Sequence, residues 1–181
     1  MRLAFSRTRE ASGTIPCDAS LAWEILSDYP AWTEWFPLAT KSAQLARETN
    51  FALVDLELAP FPGRKISVEC LHAPHSKVLM KSLMGQDPEF VLDWTIAPAG
   101  DGQSRVTVKC SWVFTAANFW ASAGAVNPRR WLNALAAQAA SFAGDFEKGP
   151  SDPATLLEIY ETDDGLVCWY RGKKYVMKAA R

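Results

Sequence analysis

The chain has two histidines, His72 and His75, spaced His-x-x-His across Pro74. Imidazoles held at one turn can ligate a metal, move a proton or donate to a carbonyl. A metal needs more ligands, and Cys70 is the one candidate close in sequence, so no metal is expected. His72 has the better claim of the two. It falls on the inward parity at a strand end, where it could hold a ligand carbonyl or act as a base; the alternative is a satisfied histidine at the rim. Ser82, also inward, is the second polar hook. Cys17, Cys70, Cys110 and Cys168 make no C-x-x-C pair, which argues against a zinc ribbon or a redox motif and for buried, inert thiols. The sequence contains no phosphate-binding glycine loop, nucleophile elbow or zincin motif, and no cofactor is expected.

These residues are positioned by a run of strands. From about residue 40 to 114 the apolar period is two. Expected strands are 41–48, 51–58, 64–72, 77–84, 90–96 and 105–114, with short turns between them, which implies an antiparallel meander. Alternation assigns two faces to each strand. One face reads Ala52, Val54, Leu56, Leu58; then Ile66, Val68, Cys70, His72; then Val78, Met80, Ser82, Met84; then Phe90, Leu92, Trp94, Ile96; then Val106, Val108, Cys110, Trp112, Phe114. The other holds Asp55, Glu57, Lys65, Glu69, Lys77, Lys81, Asp93, Arg105 and Lys109, which is expected to be a solvated face with cross-strand ion pairs. The first face has no carboxylate, Lys or Arg. General acid–base catalysis needs a positioned ionisable pair, and these strands do not supply one. They supply aromatic and aliphatic surface, suited either to an apolar ligand or to a plain packed core, and the pattern alone does not separate the two.

Around this meander lie a first strand, 3–15, and two short helices, 21–26 and 31–36, broken at Tyr29-Pro30 and Pro37. A long helix from 129 to 147 follows, with Trp131, Leu135, Ala139, Phe142 and Phe146 at helical spacing and Ala136 and Ala143 beside them. Segment 116–126 reads as loop or an extra helical turn. A smaller meander, 156–161, 166–171 and 174–178, ends the chain. The expected division is a domain of residues 1–150 and a β-meander extension of residues 151–181. The candidate ligand lining is Met80, Trp94, Trp112 and Phe114 from strands and Trp131, Leu135, Ala139 and Phe142 from the helix, with His72 and Ser82 as hooks. Phe61, between Pro60 and Pro62, sits on a stiff loop: either a gate at the lip beside Trp32 or Trp35, touching membranes transiently, or an anchor back on the core.

The whole chain sets limits on this reading. Its 181 residues suit one sizeable core. Lys plus Arg number 19 and Asp plus Glu 20, a net charge of −1 that argues against nucleic acid as a partner. The first residues, MRLAFSRTRE, are too charged for a signal peptide, and no apolar run is long enough to span a membrane. A cytoplasmic location with reduced thiols is the expectation.

The opening stretch Ile15-Pro16-Cys17-Asp18-Ala19, then Ala22-Trp23, Leu26, Ser27-Asp28-Tyr29-Pro30, Trp32 and Trp35-Phe36-Pro37, resembles the START-like (SRPBCC) superfamily. Within it, the similarity is to the polyketide cyclase/dehydrase and coenzyme-Q-binding branch, over about residues 1–148. The resemblance implies an α+β helix-grip fold, a curved antiparallel sheet around a long C-terminal helix, enclosing a cavity. The motif is structural and carries over no catalytic residue. It implies non-catalytic binding or carriage of a hydrophobic small molecule or lipid, such as a quinone, fatty acid or polyketide-like compound. A cyclase/dehydrase is the alternative, and a protein-interaction module a weaker one. The C-terminal meander departs from the superfamily's usual ending; it could extend the sheet, cover an edge or make a homodimer.

Overall fold

A computed structural model describes residues 4–115, 118–122, 124–144, 157–162, 165–170 and 173–178, with side chains described as far as residue 142, apart from 121 and 122. β1 (Ala4–Ile15) ends where Pro16 removes a backbone donor. α1 (Ala19–Ser27) starts at Asp18, whose Oδ1 accepts from the Leu21 N–H at 2.8 Å, a cap that satisfies one orphan donor of the first turn. Asp28 ends it, and a 3-10 turn (Tyr29–Ala31) leads into the single-turn α2 (Trp32–Trp35).

The meander follows as β2 (Ala39–Arg47), β3 (Phe51–Leu58), β4 (Lys65–Ala73), β5 (Lys77–Ser82), β6 (Phe90–Gly100) and β7 (Gln103–Thr115). Together with β1 these strands make a seven-stranded antiparallel sheet in the order β1-β7-β6-β5-β4-β3-β2. Only β1 breaks the sequential order. It crosses to pair with β7 in unbroken register, from Ala4 opposite Thr115 to Ile15 opposite Ser104. The tight turns use φ > 0 where the chain must double back: Gly100 and Gly102 flank Asp101 in the β6–β7 hairpin.

Alternation predicts the inner face well. Val54, Val68, Cys70, Val78, Met80, Trp94, Val108, Cys110 and Trp112 are all buried. Three cross-strand ion pairs decorate the outer face, Lys41–Glu57, Lys65–Asp55 and Lys77–Asp93. Asp55 differs from the expectation of a solvated residue. It is buried, because the Lys65 ammonium and the Ser67 hydroxyl (2.7 Å) close over its carboxylate.

α3 (Phe119–Ser122) resolves the ambiguous stretch after β7 as a single helical turn. α4 (Pro128–Gly144) begins with Pro at its first position, and the Asn127 side chain accepts from the Arg130 N–H at 3.2 Å. It passes close over β1: a Cβ placed on Gly13 would lie 3.7 Å from Leu132 Cδ1. The expected end of this helix at 147, with Phe146, lies outside the described residues. The chain forms two compact units, Met1–Ala139 and Ala140–Arg181. The second contains a separate three-stranded antiparallel sheet of β8 (Leu157–Thr162), β9 (Gly165–Tyr170) and β10 (Lys173–Lys178) in the order β10-β9-β8. No helix among the described residues is long and apolar enough to cross a membrane.

Candidate functional site

The concave face of the sheet is covered by the chain's own aromatics. α1 packs over β5, β6 and β7, and the segment after it lays Tyr29, Trp32, Trp35 and Phe36 across the interior. Phe36 joins both covers, with its ring 6.3 Å from Trp94 on β6 and 5.5 Å from Trp131 on α4. Trp32 donates from Nε1 to the Leu26 carbonyl at 3.0 Å, which fixes the angle between α1 and α2. Trp94, Trp112, Trp131, Leu135 and Ala139 each keep 0% of their surface. A side chain bordering a water-sized void would retain some, so beside these residues the interior is filled. Trp32 and Trp35 are thus both buried rather than exposed at a lip.

At one end of this interior lies a polar cluster. The Tyr29 hydroxyl shares a hydrogen bond with His72 Nε2 at 2.5 Å, and the Cys70 thiol interacts with the same hydroxyl. The Trp23 indole stands edge-on to His72, with centroids 6.1 Å apart, and lies 5.4 Å from His75. Arg47 donates to the Ser27 carbonyl at 2.7 Å and raises the local positive potential. Burial and then Arg47 push the His72 pKa down, so the ring stays neutral and can accept from tyrosine. Burial, and then Cys70, drive the Tyr29 phenol far above its ordinary range, with Arg47 opposing. Cys70 is pushed to about 12 by burial, with its Tyr29 hydrogen bond opposing, and Cys110 to about 12 by burial, with Arg9 opposing. Cys17, raised to about 11 by burial and then by Asp18, is likewise held as a thiol. None of the three is a ready nucleophile. The ring nitrogen left over, His72 Nδ1, is buried without a hydrogen-bond partner.

The centre and the opposite end of the interior differ. Here the indole Nε1–H groups of Trp94, Trp112 and Trp131 are buried with no acceptor, as are those of Trp35 nearby and of Trp23 at the His72 end. Phe90 stacks on Trp112 at 5.1 Å and 13°, fixing that ring without satisfying its N–H. Ser82 is committed elsewhere: its Oγ receives the Phe90 N–H at 2.9 Å, stitching the ends of β5 and β6 together.

Beyond that end three loops meet at Asp87. Arg64 donates to the Asp87 carbonyl at 2.7 Å and pairs with its carboxylate, and Asn118 Nδ2 donates to Asp87 Oδ1 at 2.7 Å. The loops so tied carry Met84, 95% exposed, and Trp120, 88% exposed. Phe61 on the third loop is half-buried, with the Arg64 guanidinium 5.9 Å from its ring centroid.

A family model described as polyketide cyclase / dehydrase and lipid transport matches residues 6–158. The chain belongs to this family. Among solved structures it is similar to the Zhui aromatase/cyclase from Streptomyces sp. R1128, at 17% identity and a TM-score of 0.64, covering 77% of this chain and 96% of that one. A START superfamily protein from Mycobacterium smegmatis matches at 15% identity and a TM-score of 0.55, covering 74% and 97%. Norcoclaurine synthase from Thalictrum flavum, in complex with dopamine and hydroxybenzaldehyde, matches at 9% identity and a TM-score of 0.57, covering 81% and 91%. No curated protein matches the sequence. The family and these START-like neighbours make this a helix-grip fold of the kind that binds hydrophobic ligands.

In this family member the structure gathers Met80, Trp94, Trp112, Phe114, Trp131, Leu135 and Ala139 into one buried interior, with His72 and Ser82 at its two ends. Phe142 is half-buried. The sequence reading missed Tyr29, treated there only as part of a helix break, although it is the direct partner of His72. It also missed three arginines on the inward parity of the edge strands. Arg7 and Arg9 stand opposite Trp112 and Cys110, and Arg47 stands opposite Ala52. The parity of β1 would have revealed the first two. Arg47 is reached only through register shifts in β2, which alternation cannot foresee. Met84, expected as the inward end of a strand reaching residue 84, is instead exposed on the loop after β5 ends at Ser82, and Trp120 sits on the single-turn α3.

Proposed function

We propose that this chain binds, without turnover, a hydrophobic small molecule whose ring or chain carries acceptor oxygens, held in the interior between the sheet and α4. The observation that carries this reading is the set of orphaned donors: Trp94, Trp112 and Trp131 each bury an indole N–H with no acceptor. A buried donor left unmet costs about 1–3 kcal/mol, and a carbonyl or ether oxygen brought in by a ligand recovers it. All three are donors, which favours quinone-like, polyketide-like or carboxyl-bearing compounds over plain alkyl chains. Because the side chains around them border no void, the ligand enters by displacing packing, with α4 and the loops joined at Asp87 as the parts that yield. Burial of ligand methylenes, about 0.8 kcal/mol each, supplies the driving force. Exposed Met84 and Trp120 at that end suit a brief contact with a membrane during loading.

The test is a matched pair of ligands. Fluorenone and fluorene have nearly the same shape and differ by one carbonyl. Fluorenone is expected to bind more tightly by about 0.5–1.5 kcal/mol, the net value of one hydrogen bond. The indole N–H resonances of Trp94, Trp112 or Trp131 should shift in its NMR spectrum and stay put with fluorene. Equal affinity with unmoved indole signals sinks the acceptor-oxygen reading.

A cyclase/dehydrase reading has one observation in its favour, the Tyr29–His72 hydrogen bond beside a neutral imidazole that could accept a proton. Turnover of a polyketide-like substrate that His72→Phe abolishes while sparing binding would replace the carrier reading with this one.

A further inference from the structure

The two edge strands of the seven-stranded sheet are built differently. β2 is broken by register shifts between Ala39 and Lys41 and between Gln44 and Ala46, and such bulges twist an edge away from further pairing. β1 runs for 12 residues without a shift and without a proline, and no described strand pairs with its outer side. Along it lies an open groove of about 610 Å³, between residues 9–12 of β1 and residues 127–129 at the start of α4. Such an edge offers unpaired backbone N–H and C=O groups as a template for another strand.

The side chains along the groove select what could lie there. Arg7 and Arg9 share the face toward α4, two residues apart, opposite Trp112 and Cys110. Arg9 holds the Val126 carbonyl, which fixes its guanidinium at the groove wall. Arg7, Arg129 and Arg130 are exposed, and the first turn of α4 adds the positive end of a 17-residue helix. The other face of β1 presents Thr8, Glu10 and Ser12, with Glu10 opposite Lys109. A second copy of β1 fits poorly. Antiparallel pairing keeps like faces together, so the central registers set Arg9 against Arg9 or Glu10 against Glu10, and like charges directly opposite destabilise a ladder.

We propose that the β1 edge is a docking site for an extended acidic peptide segment, which adds as a strand and sets alternate carboxylates against Arg7 and Arg9 under the start of α4. Hydroxyl side chains on its other face would meet Thr8 and Ser12. The backbone ladder supplies affinity, and the arginines select sign and register.

The probe is a fluorescein-labelled octapeptide of alternating Glu and Thr, titrated with the full chain at low salt and followed by anisotropy. Saturable binding is expected, absent for the matching Lys/Thr peptide. Methylating alternate backbone nitrogens in two peptides, one for each set, should abolish binding for one set and spare it for the other. The double variant Arg7→Glu, Arg129→Glu should weaken binding about tenfold or more, since it removes two attractive exposed pairs and puts repulsion in their place. Circular dichroism shows whether that variant stays folded; Arg7→Gln, which only removes a charge, gives a milder second measure. Equal binding of the Glu and Lys peptides, or unchanged binding by the folded double variant, overturns the proposal. So does a concentration-dependent dimer in sedimentation velocity that the double variant abolishes, because the edge would then belong to a second copy.

Discussion

The two ends of the interior pair their polar groups to different degrees. Near α1, Tyr29, His72 and Cys70 answer one another, and Arg47 is tied to the Ser27 carbonyl. Beside them His72 Nδ1 and the Trp23 indole N–H stay unpaired, and towards the centre and the far end the indoles of Trp35, Trp94, Trp112 and Trp131 have no acceptor at all. A paired polar network rigidifies and specifies a fold; an unpaired donor stores free energy that only a new partner can release. The contrast assigns the His72 end to structure and the indole end to recognition. It also shows why burial alone is a poor guide to a site, since both ends lie in the interior.

The largest expected effect probes the packing that both ends share. Trp131→Ala removes the ring that meets Phe36 beneath α4 and should cost about 3–5 kcal/mol in urea denaturation. A much smaller loss would mean that α4 is loosely held. Ala139→Trp should cost about 1–3 kcal/mol by overpacking and should block ligand uptake; unchanged affinity in the folded variant would move the ligand away from α4. Tyr29→Phe leaves His72 Nε2 buried without a donor and is expected to cost about 1–3 kcal/mol while leaving fluorenone affinity unchanged. Loss of that affinity would put the ligand at the His72 end and dissolve the contrast.

The pH dependence sharpens the same point. The pKa of His72 is lower in the folded chain than in the unfolded one, where it is about 6.5. Its contribution to stability is therefore complete above about pH 6.5 and is lost as pH falls towards the depressed folded value, because the unfolded state binds the proton first. Urea midpoints should fall between pH 7.5 and 5, and His72→Gln should flatten that slope; an equal slope in both proteins would contradict a buried, neutral His72. The smallest effect is at the mouth. Phe61→Ser should shift stability by less than about 0.5 kcal/mol, and Trp120→Ser should reduce co-sedimentation with anionic vesicles more than Phe61→Ser does.

Much of this was legible in the sequence because a period of two is hard to misread. The inward row of every strand from β3 to β7, His72 included, was assigned correctly except for Met84, which lies past the end of β5 and is exposed, and the long helix was found from its Trp131, Leu135, Ala139 spacing. Three things were not legible, each for a physical reason. Whether that row lines a cavity or a filled core depends on what lies over it, and Tyr29, Trp32 and Trp35 read as a helix break and a short helix until they are seen folded over the sheet. Hydrogen-bond partnership is a tertiary property, so Tyr29 could not be matched to His72 across 43 residues. The bulges in β2 change parity in mid-strand, which hides Arg47 from any alternation rule.

The pairing of β1 with β7 has a consequence for how the chain is made. Every other neighbouring pair in the sheet joins strands adjacent in sequence, so β2 to β7 can assemble by local hairpins as they emerge. β1 must wait, since its first residue pairs with Thr115. At ribosomal speeds of about 5–20 residues per second, the earliest strand to appear stays unpaired for about 5–20 s. During that time a long, regular strand and the aromatic segment behind it have no sheet to rest on. The order of synthesis thus leaves β1 and the aromatic segment behind it without their sheet partners until β7 is made, and chaperone capture at the ribosome should concentrate on that stretch.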